Sequence, residues 1–432
     1  MRINSIHLES FKSLYELTAN FGDLSVLTGA NGSGKSNLVD SLVFIANTYQ
    51  HGLEFAVSHG GGYENIAHRR TRRAKRPIGV AIEVELTPTE IRQNLRHLAH
   101  RPRSKSTKRK RMEAPIRVRH RFSFHTASQR LTADFAVLSE ELGVYDIDGA
   151  ELAVISRSAD RLEVKRNAGR PELKDLLDDL LYAYERDDLR DELKLAPSEL
   201  FIDRRYFVDL FWYVTRYLSS IKVFQISPHT SRLSGVASPR AQLDLHGENL
   251  PGAADFLRRN QPDAWAQVES AMRSIIPTLE EVIIVYTEDR RLAVQFREAG
   301  VGRPWNAGEV SDGTIQTFAL LVAIFDKRYS MLVIEELENA LHPWILRQLV
   351  TLCRESPRQI LLTTHSPVLL NYVPPTAVQL MWMHDGRSAL APLLQLDQEI
   401  GQQVLDGELS TFDLYDSGII TRGLPRGLGG HE

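Results

Sequence analysis

The densest chemistry in this chain sits in Gly29-Ala30-Asn31-Gly32-Ser33-Gly34-Lys35-Ser36. The pattern is G-x-x-x-x-G-K-[ST], a phosphate-gripping loop when a strand enters it and a helix leaves it. Its glycines let successive backbone N–H groups turn toward one anion, and the positive end of the following helix adds to them. Lys35 is placed to reach the terminal phosphates, the Ser36 hydroxyl to join the Mg²⁺ coordination sphere, and Asn37, opening the helix, counts with the loop among the phosphate-binding residues. Far downstream, Glu335-Glu336 end one apolar run and Thr363-Thr364-His365-Ser366-Pro367 end another. Adjacent acids at a buried strand end are costly unless something pairs them. A Mg²⁺ ion resolves this: Glu335 supports the ion, and Glu336 orients and deprotonates an attacking water. His365 is then placed to sense the γ-phosphate. Ser311-Asp312-Gly313-Thr314 opens an apolar helix, an N-cap by default and also a second anion-binding geometry.

These residues need particular elements beneath them. Residues 24–28 form an apolar strand running into the loop, and 37–46 carry a helix pattern running out of it. Residues 331–334 and 360–363 are short, wholly apolar strands suited to the middle of a parallel sheet. Such strands present ligands at their carboxyl edges. Residues 78–86 and 116–124 alternate as antiparallel strands, and further strands are expected over 130–137, 143–147, 161–164 and 223–228. Residues 253–275 read as helical, and 281–286 with 292–296 as a hairpin around Asp289-Arg290. Residues 172–193 are helical and acidic, with an apolar stripe of Leu173, Leu176, Leu177, Leu180 and Leu181. That stripe is too short for several heptads, so a helix packed on the sheet is favoured over a coiled-coil arm. His59-Gly60-Gly61-Gly62 lacks the lysine and flanking elements of a second phosphate site.

The net charge of −3 over 432 residues hides an asymmetry. Residues 69–121 hold fourteen arginines and four lysines against four glutamates, a net +14 that leaves −17 for the rest. Such a block is either a solvated insertion or an electrostatic contact surface. Within it, 101–111 has no apolar residue to bury and reads as a loop between two strands. The single cysteine, Cys353, excludes an internal disulfide and a Cys-rich zinc site. No apolar run reaches membrane-spanning length, and the N-terminus reads as a strand without a signal-peptide core. The expectation is a soluble, cytoplasmic protein with no membrane partner.

Together these pieces resemble the ABC-type ATPase head of the RecF, Rad50 and SMC group. The nearest resemblance is to stand-alone AAA family ATPases related to the OLD (overcoming-lysogenisation-defect) ATPases. It runs through Phe11-Lys12-Ser13, the phosphate loop, Gly247-Glu248-Asn249-Leu250, Ser311-Asp312-Gly313-Thr314, Glu338-Asn339-Ala340-Leu341-His342-Pro343 and Thr364-His365-Ser366-Pro367. The resemblance implies an α/β P-loop NTPase fold with an antiparallel β lobe, a mainly parallel central sheet and a helical insertion. It divides the chain into a first lobe over 1–168, the helical insertion over 169–222, a second lobe over 223–400 and a tail over 401–432. It also implies ATP and Mg²⁺ as ligands. Ser311, Asp312 and Gly313 match the signature that contacts the γ-phosphate of ATP bound to the other subunit of a homodimer. Asn339, Ala340, Leu341 and His342 match the loop that crosses that interface. Gln225 is the candidate for a glutamine that links Mg²⁺ to lobe motion. Lys12 either touches the nucleotide phosphates or is a solvated strand-end lysine.

Two positions depart from the family pattern: Glu335 stands where Asp is usual, and Leu337 where Pro is usual. The longer acid leads to an expectation of retained ATP binding with slow hydrolysis. For the output, one reading is a nucleic-acid sensor or clamp gripping the phosphate backbone through Arg69, Arg70, Arg72, Arg73, Arg103, Lys108, Arg109, Lys110 and Arg111. A second, compatible reading is a scaffold for a separate effector, a nuclease or toxin, in bacterial anti-phage defence. OLD-type proteins carry a TOPRIM nuclease domain after the switch histidine, and the roughly seventy residues after His365 are too few for one. A stand-alone RecF-like repair ATPase is the alternative. A small-molecule kinase or GTPase fits poorly, because those keep the second carboxylate near the phosphate loop. A transporter ATPase fits poorly because the region between the motifs is too long.

Overall fold

The computed structural model describes residues 1–68, 76–91, 115–126, 134–158, 161–167, 195–203, 208–407, 409–411 and 413. Two compact units interleave along the chain. The first comprises Met1–Phe21, Ser36–Ser220 and Met383–Leu390, and the second Gly22–Lys35, Ile221–Trp382 and Ala391–Glu432.

The first unit is built on β1 (Arg2–Phe11), β2 (Leu14–Asn20), β4 (Ile78–Leu86), β5 (Ile116–His125), β6 (Ala136–Asp146), β7 (Glu151–Ser158) and β8 (Arg161–Arg166). They lie in the order β2-β1-β4-β5-β6-β7-β8, and every neighbouring pair is antiparallel. Strand β5 shows why: Ile116, Val118, His120, Phe122 and Phe124 point inward while Arg117, Arg119 and Arg121 point outward. Helix α1 (Lys35–His51) supplies Phe44, which stacks on Phe124 at 6.0 Å and tilts against Phe11 at 5.5 Å. Burying each such ring contributes about 1.5–3 kcal/mol. The segments expected over 130–137 and 143–147 belong to one strand, β6, as far as they are described. Strand β7 had no sequence expectation; a turn in which Asp146 Oδ1 accepts from the Ala150 N–H at 2.8 Å feeds it.

A polar thread runs through this core. The Tyr49 hydroxyl is 2.7 Å from His120 Nδ1, and His120 Nε2 is 3.2 Å from Glu140 Oε1. Glu140 Oε2 accepts from the Phe201 N–H at 2.7 Å. His120 and Glu140 are 2% and 1% exposed, so the residues that interrupt the apolar pattern do so as partners of one another.

In the second unit β3 (Leu24–Thr28), β9 (Lys222–Phe224), β13 (Met331–Glu335), β14 (Gln359–Thr363) and most of β15 (Val378–His384) lie in the order β15-β3-β14-β13-β9. The pairings of β15 with β3, β3 with β14, β14 with β13 and β13 with β9 are parallel. Strands β13 and β14 are buried along nearly their whole length, as their unbroken apolar sequences require. A smaller antiparallel sheet holds β10 (Leu279–Tyr286), β11 (Leu292–Glu298) and β12 (Trp305–Asn306).

Four helices complete that core: α2 (Leu250–Asn260), α3 (Pro262–Ile275), α4 (Asp312–Phe325) and α5 (Pro343–Glu355). Phe318 of α4 meets Phe296 of β11 edge-on at 5.7 Å and Trp265 of α3 at 6.2 Å. The helical region expected over 253–275 is two helices. Pro262 has no N–H to continue α2 and pushes Gln261 out of the helical region, to φ −138 and ψ 60. The fold is α/β, with the antiparallel lobe and the mainly parallel sheet expected of an ABC-type head. Within the helical insertion, the helix Val208–Leu218 is described, whereas 172–193 lies outside the described residues.

Candidate nucleotide site

The parallel register of the second unit brings the sequence motifs to one edge. Thr363 pairs with Leu27 on one side and Glu335 on the other, and Phe224 pairs with Ile334. Hydrogen bonds carry the alignment past the strand ends: the Thr364 N–H donates to Leu27 O, and the Glu336 N–H to Thr363 O, each at 3.0 Å. Along the carboxyl edge stand the phosphate loop after β3, His365 after β14, Glu335-Glu336 at the end of β13 and Gln225 after β9. In open α/β sheets this edge is where ligands bind.

The loop itself needs glycine. Gly29, Gly32 and Gly34 have φ of 144, 75 and 109, a region closed to most side chains. A Cβ on Gly29 would lie 2.0 Å from the Met381 carbonyl oxygen, so only glycine lets the loop pass β15. Lys35 is 7% exposed and donates to Gly29 O at 2.7 Å and Ala30 O at 3.1 Å. Burial lowers its pKa to about 8, against the raising influence of Glu336. Ser33 Oγ and Thr28 Oγ1 are buried and have no partner among the described residues. The Ser33 hydroxyl is thus a spare donor inside the loop, which suits a phosphate oxygen. Asn31, Gly32 and Ser36 are exposed.

Glu336 turns the chain out of β13 with φ 52, a strained value for a residue bearing a side chain. Its Oε2 accepts from Asn339 Nδ2 at 2.7 Å, and the Asn339 N–H donates to the Glu336 carbonyl oxygen at 3.0 Å. Glu335 is half-buried. His365 brings Nδ1 to 3.5 Å from Lys35 Nζ. Burial first, and the Lys35 charge second, hold its pKa below the ordinary histidine value. Leu337, at the position where the family pattern has proline, is wholly buried in the apolar core.

Glu338 is not among the residues expected from the sequence to carry chemistry. The structure places its Oε1 as acceptor to Thr364 Oγ1 at 2.7 Å and to the His365 and Ser366 N–H groups at 3.2 Å each. The available signal was a third acid directly after Glu335-Glu336-Leu337.

Ser311 caps α4, its Oγ accepting from the Thr314 N–H at 3.1 Å. Arg232 holds the preceding loop, donating to Ala307 O at 3.1 Å and Val310 O at 2.9 Å and pairing with Asp312 at 2.7 Å. A Cβ on Gly313 would stand 3.2 Å from Ala340 O. The 311–313 turn and the 339–342 loop therefore lie against each other within one chain. Ser311, Asp312, Asn339, Ala340 and His342 are exposed, and Leu341 is half-buried. His342 caps α5 through Nδ1, which accepts from the Trp344 N–H at 3.2 Å. Gln225 is half-buried, with its N–H on Leu245 O at 2.8 Å.

In the first unit, Lys12 is ion-paired with Asp40 of α1, and Asn37 Nδ2 donates to Ser13 Oγ at 2.6 Å. Lys12, Ser13, Asn37 and His68 line a cleft of about 560 Å³. Arg69, Arg70, Arg72, Arg73, Arg103, Lys108, Arg109, Lys110 and Arg111 lie outside the described residues. Of the same basic stretch, Arg119 pairs with Glu83 at 2.6 Å and Arg121 with Glu9 at 3.1 Å.

Among the described residues no group of three or more His, Cys, Asp or Glu side chains could hold a metal ion. The donors named for Mg²⁺, namely Ser36, Glu335 and Gln225, are all hard oxygen donors. Mg²⁺ characteristically uses one or two such protein donors, with water and substrate phosphate filling the rest of its octahedron. The donor set fits the ion.

The family described as "AAA domain, putative AbiEii toxin, Type IV TA system" matches residues 24–371, from the strand before the phosphate loop to just beyond His365. The chain belongs to that family. This AAA-domain chain also matches a curated protein, "Mitotic chromosome and X-chromosome-associated protein mix-1" of Caenorhabditis elegans, with 42% identity over 71 residues. The match covers 14% of the chain and 6% of that protein, so the chain spans a small part of its curated relative. Among solved structures, an SMC head bound to the C-winged helix domain of ScpA aligns over 92% of this chain and all of that one, at 14% identity and a TM-score of 0.49. The SMC head domain from Thermotoga maritima aligns over 91% of this chain and 99% of that one, at 15% identity and a TM-score of 0.41. Among the described residues no helix of this family member is long and apolar enough to cross a membrane.

Proposed function

We propose that the chain binds ATP with Mg²⁺ and hydrolyses it in a homodimer that closes over the nucleotide. The observation that carries this reading is the single carboxyl edge shared by the phosphate loop, Lys35, His365 and Glu335-Glu336. The loop N–H groups and the Ser33 hydroxyl hold the phosphates, and Lys35 exchanges its loop carbonyls for phosphate oxygens. Bound Mg²⁺ supplies charge neutralisation at the phosphates, with Ser36, Glu335 and Gln225 as its protein donors. Glu336 accepts the proton of the attacking water, and His365 hydrogen-bonds the γ-phosphate. Glu335 is one methylene longer than aspartate, which supports slow turnover.

The dimer reading draws on the exposed Ser311 and Asp312 of one turn and the exposed Asn339, Ala340 and His342 of its neighbouring loop. In a facing copy, Ser311, Asp312 and Gly313 contact the γ-phosphate, while Asn339, Ala340, Leu341 and His342 cross the interface. The family description names a toxin of a toxin–antitoxin system. That wording supports an output shared with a separate protein, a nuclease or toxin effector in OLD-like anti-phage defence in the cytoplasm. The net +14 of residues 69–121 supports nucleic acid as a further ligand.

The test is ATP hydrolysis by the purified full chain as its concentration is raised. A dimeric site gives specific activity that climbs with concentration, and Glu336→Gln gives an ATP-dependent dimer by analytical ultracentrifugation. Specific activity independent of concentration removes the dimer, and turnover surviving Glu336→Gln removes the catalytic assignment.

A further inference from the structure

We infer that Glu338 is a positioning residue that sets the switch histidine from the interface loop. This rests on the ATPase reading above and adds a part to it. Glu338 lies two residues after Glu336 and immediately before the 339–342 loop. Its Oε1 accepts the N–H groups of His365 and Ser366 at 3.2 Å each, and the Thr364 hydroxyl at 2.7 Å. Two N–H groups that flank the His365 Cα, fixed on one oxygen, set the peptide planes on either side of it. They therefore set the direction of its Cα–Cβ bond. That direction brings the imidazole to Lys35, at 3.5 Å, and to the Gly29 backbone.

Among the described residues only Glu338 accepts both of these N–H groups. Thr364 donates its N–H to Leu27 O at 3.0 Å, which secures the strand end but lies before His365. Thr364 Oγ1 also accepts the Ser366 N–H at 2.8 Å, closing a small turn around the histidine that Glu338 holds from below. The second carboxylate oxygen, Oε2, is buried without a partner among the described residues. Leaving one carboxylate oxygen buried without a partner has a cost that a surface acid does not bear. Through its backbone, Glu338 belongs to the loop: the Leu341 N–H donates to Glu338 O at 3.2 Å. The neighbouring Asn339 holds Glu336 in the same manner. A shift of the interface loop thus reaches His365 through one side chain.

The test compares full-length wild type, Glu338→Gln, Glu338→Ala, His365→Ala and the double variant Glu338→Ala/His365→Ala. A positioning role lowers kcat in Glu338→Ala by about tenfold or more while ATP affinity stays within about threefold. Glu338→Gln keeps an oxygen that accepts the same three donors and stays within about threefold of wild type. The double variant is no slower than His365→Ala alone, since a residue acting only through His365 has nothing left to position. Additive losses, an unchanged Glu338→Ala, or affinity and melting temperature falling together overturn the inference. A separate readout needs no hydrolysis: in ¹⁵N-histidine spectra, the resonance identified by its loss in His365→Ala moves in Glu338→Ala and not in Glu338→Gln. An immobile resonance overturns the inference, whereas a wild-type protein that hydrolyses no ATP overturns the ATPase reading and leaves this readout decisive.

Discussion

Lys35 Nζ lies 3.5 Å from His365 Nδ1, although 330 positions separate the two residues. The parallel pairing of β3 with β14 makes the contact inevitable, because Thr363 is in register with Leu27 and both chains turn out of the sheet together. The Lys35 charge disfavours the charged form of His365 across a partly dehydrated gap. The His365 pKa is lowered by burial and then by Lys35, which favours the neutral ring. A neutral imidazole beside a cationic amine both donates and accepts, as a residue facing phosphate and water needs to do.

The Lys35 amine, with its pKa brought down to about 8 from 10.5, gives a pH signature. Between these values the folded chain binds fewer protons than the unfolded one. The penalty for burying the charged amine is fully present below about pH 8 and is relieved as pH rises toward the unfolded value. ATP prefers the charged amine, so binding above that pH takes up a proton. Affinity is expected to hold to about pH 8 and then to fall, approaching roughly tenfold per pH unit. Titration with a fluorescent ATP analogue checks this, with Lys35→Ala weak and without that inflection.

Glu336 is held by Asn339 Nδ2 at 2.7 Å in a left-handed turn with φ 52. Glu336→Gln removes the proton acceptor and is expected to lower kcat by about 10²- to 10⁴-fold with ATP binding retained. Asn339→Ala leaves the acid in place but unanchored. A hydrogen bond to a charged group is worth about 1.5–3 kcal/mol, so kcat is expected to fall roughly tenfold or more. Single-turnover kinetics with saturating ATP separate the two, since binding is common to both.

Much of this arrangement was legible in the sequence, and for physical reasons. The phosphate loop, the acid pair and His365 each follow a short, mainly apolar run of the kind that forms a buried parallel strand. Their ends then share an edge without further assumption. Strand β7, the break at Pro262 and the role of Glu338 were not read. Strand β7 buries four consecutive apolar residues, Leu152 to Ile155, and so lacks the alternation that marks its neighbours, and Pro262 sits at a first helical turn, where proline starts helices as well as ending them. The bonds of Glu338 reach Thr364, His365 and Ser366, 26 to 28 positions away, which no local pattern encodes.

Gly29 gives a prediction about the loop that does not depend on turnover. With φ 144 and the Met381 carbonyl oxygen 2.0 Å from a would-be Cβ, alanine cannot be seated without moving backbone. Gly29→Ala is expected to destabilise the second unit by about 1–3 kcal/mol and to abolish ATP binding. Gly32→Ala, whose Cβ would meet nothing within 4 Å, suffers only the left-handed backbone cost. Urea denaturation of both variants, followed by nucleotide titration, ranks the two positions.

The Tyr49–His120–Glu140 thread predicts the stability of the first unit. Glu140 is buried among its partners and accepts from the Phe201 N–H at 2.7 Å, so Glu140→Ala strands a histidine nitrogen and a backbone donor together. Breaking a buried pair on one side is expected to cost about 3–5 kcal/mol. Glu140→Gln keeps an acceptor for the backbone and loses less. The double variant His120→Ala/Glu140→Ala is expected to be less unstable than the sum of the single variants, because each removes the partner whose loss makes the other expensive. Chemical denaturation of the four proteins measures the coupling. Additive losses would mean that the two side chains are buried beside one another without acting as a pair.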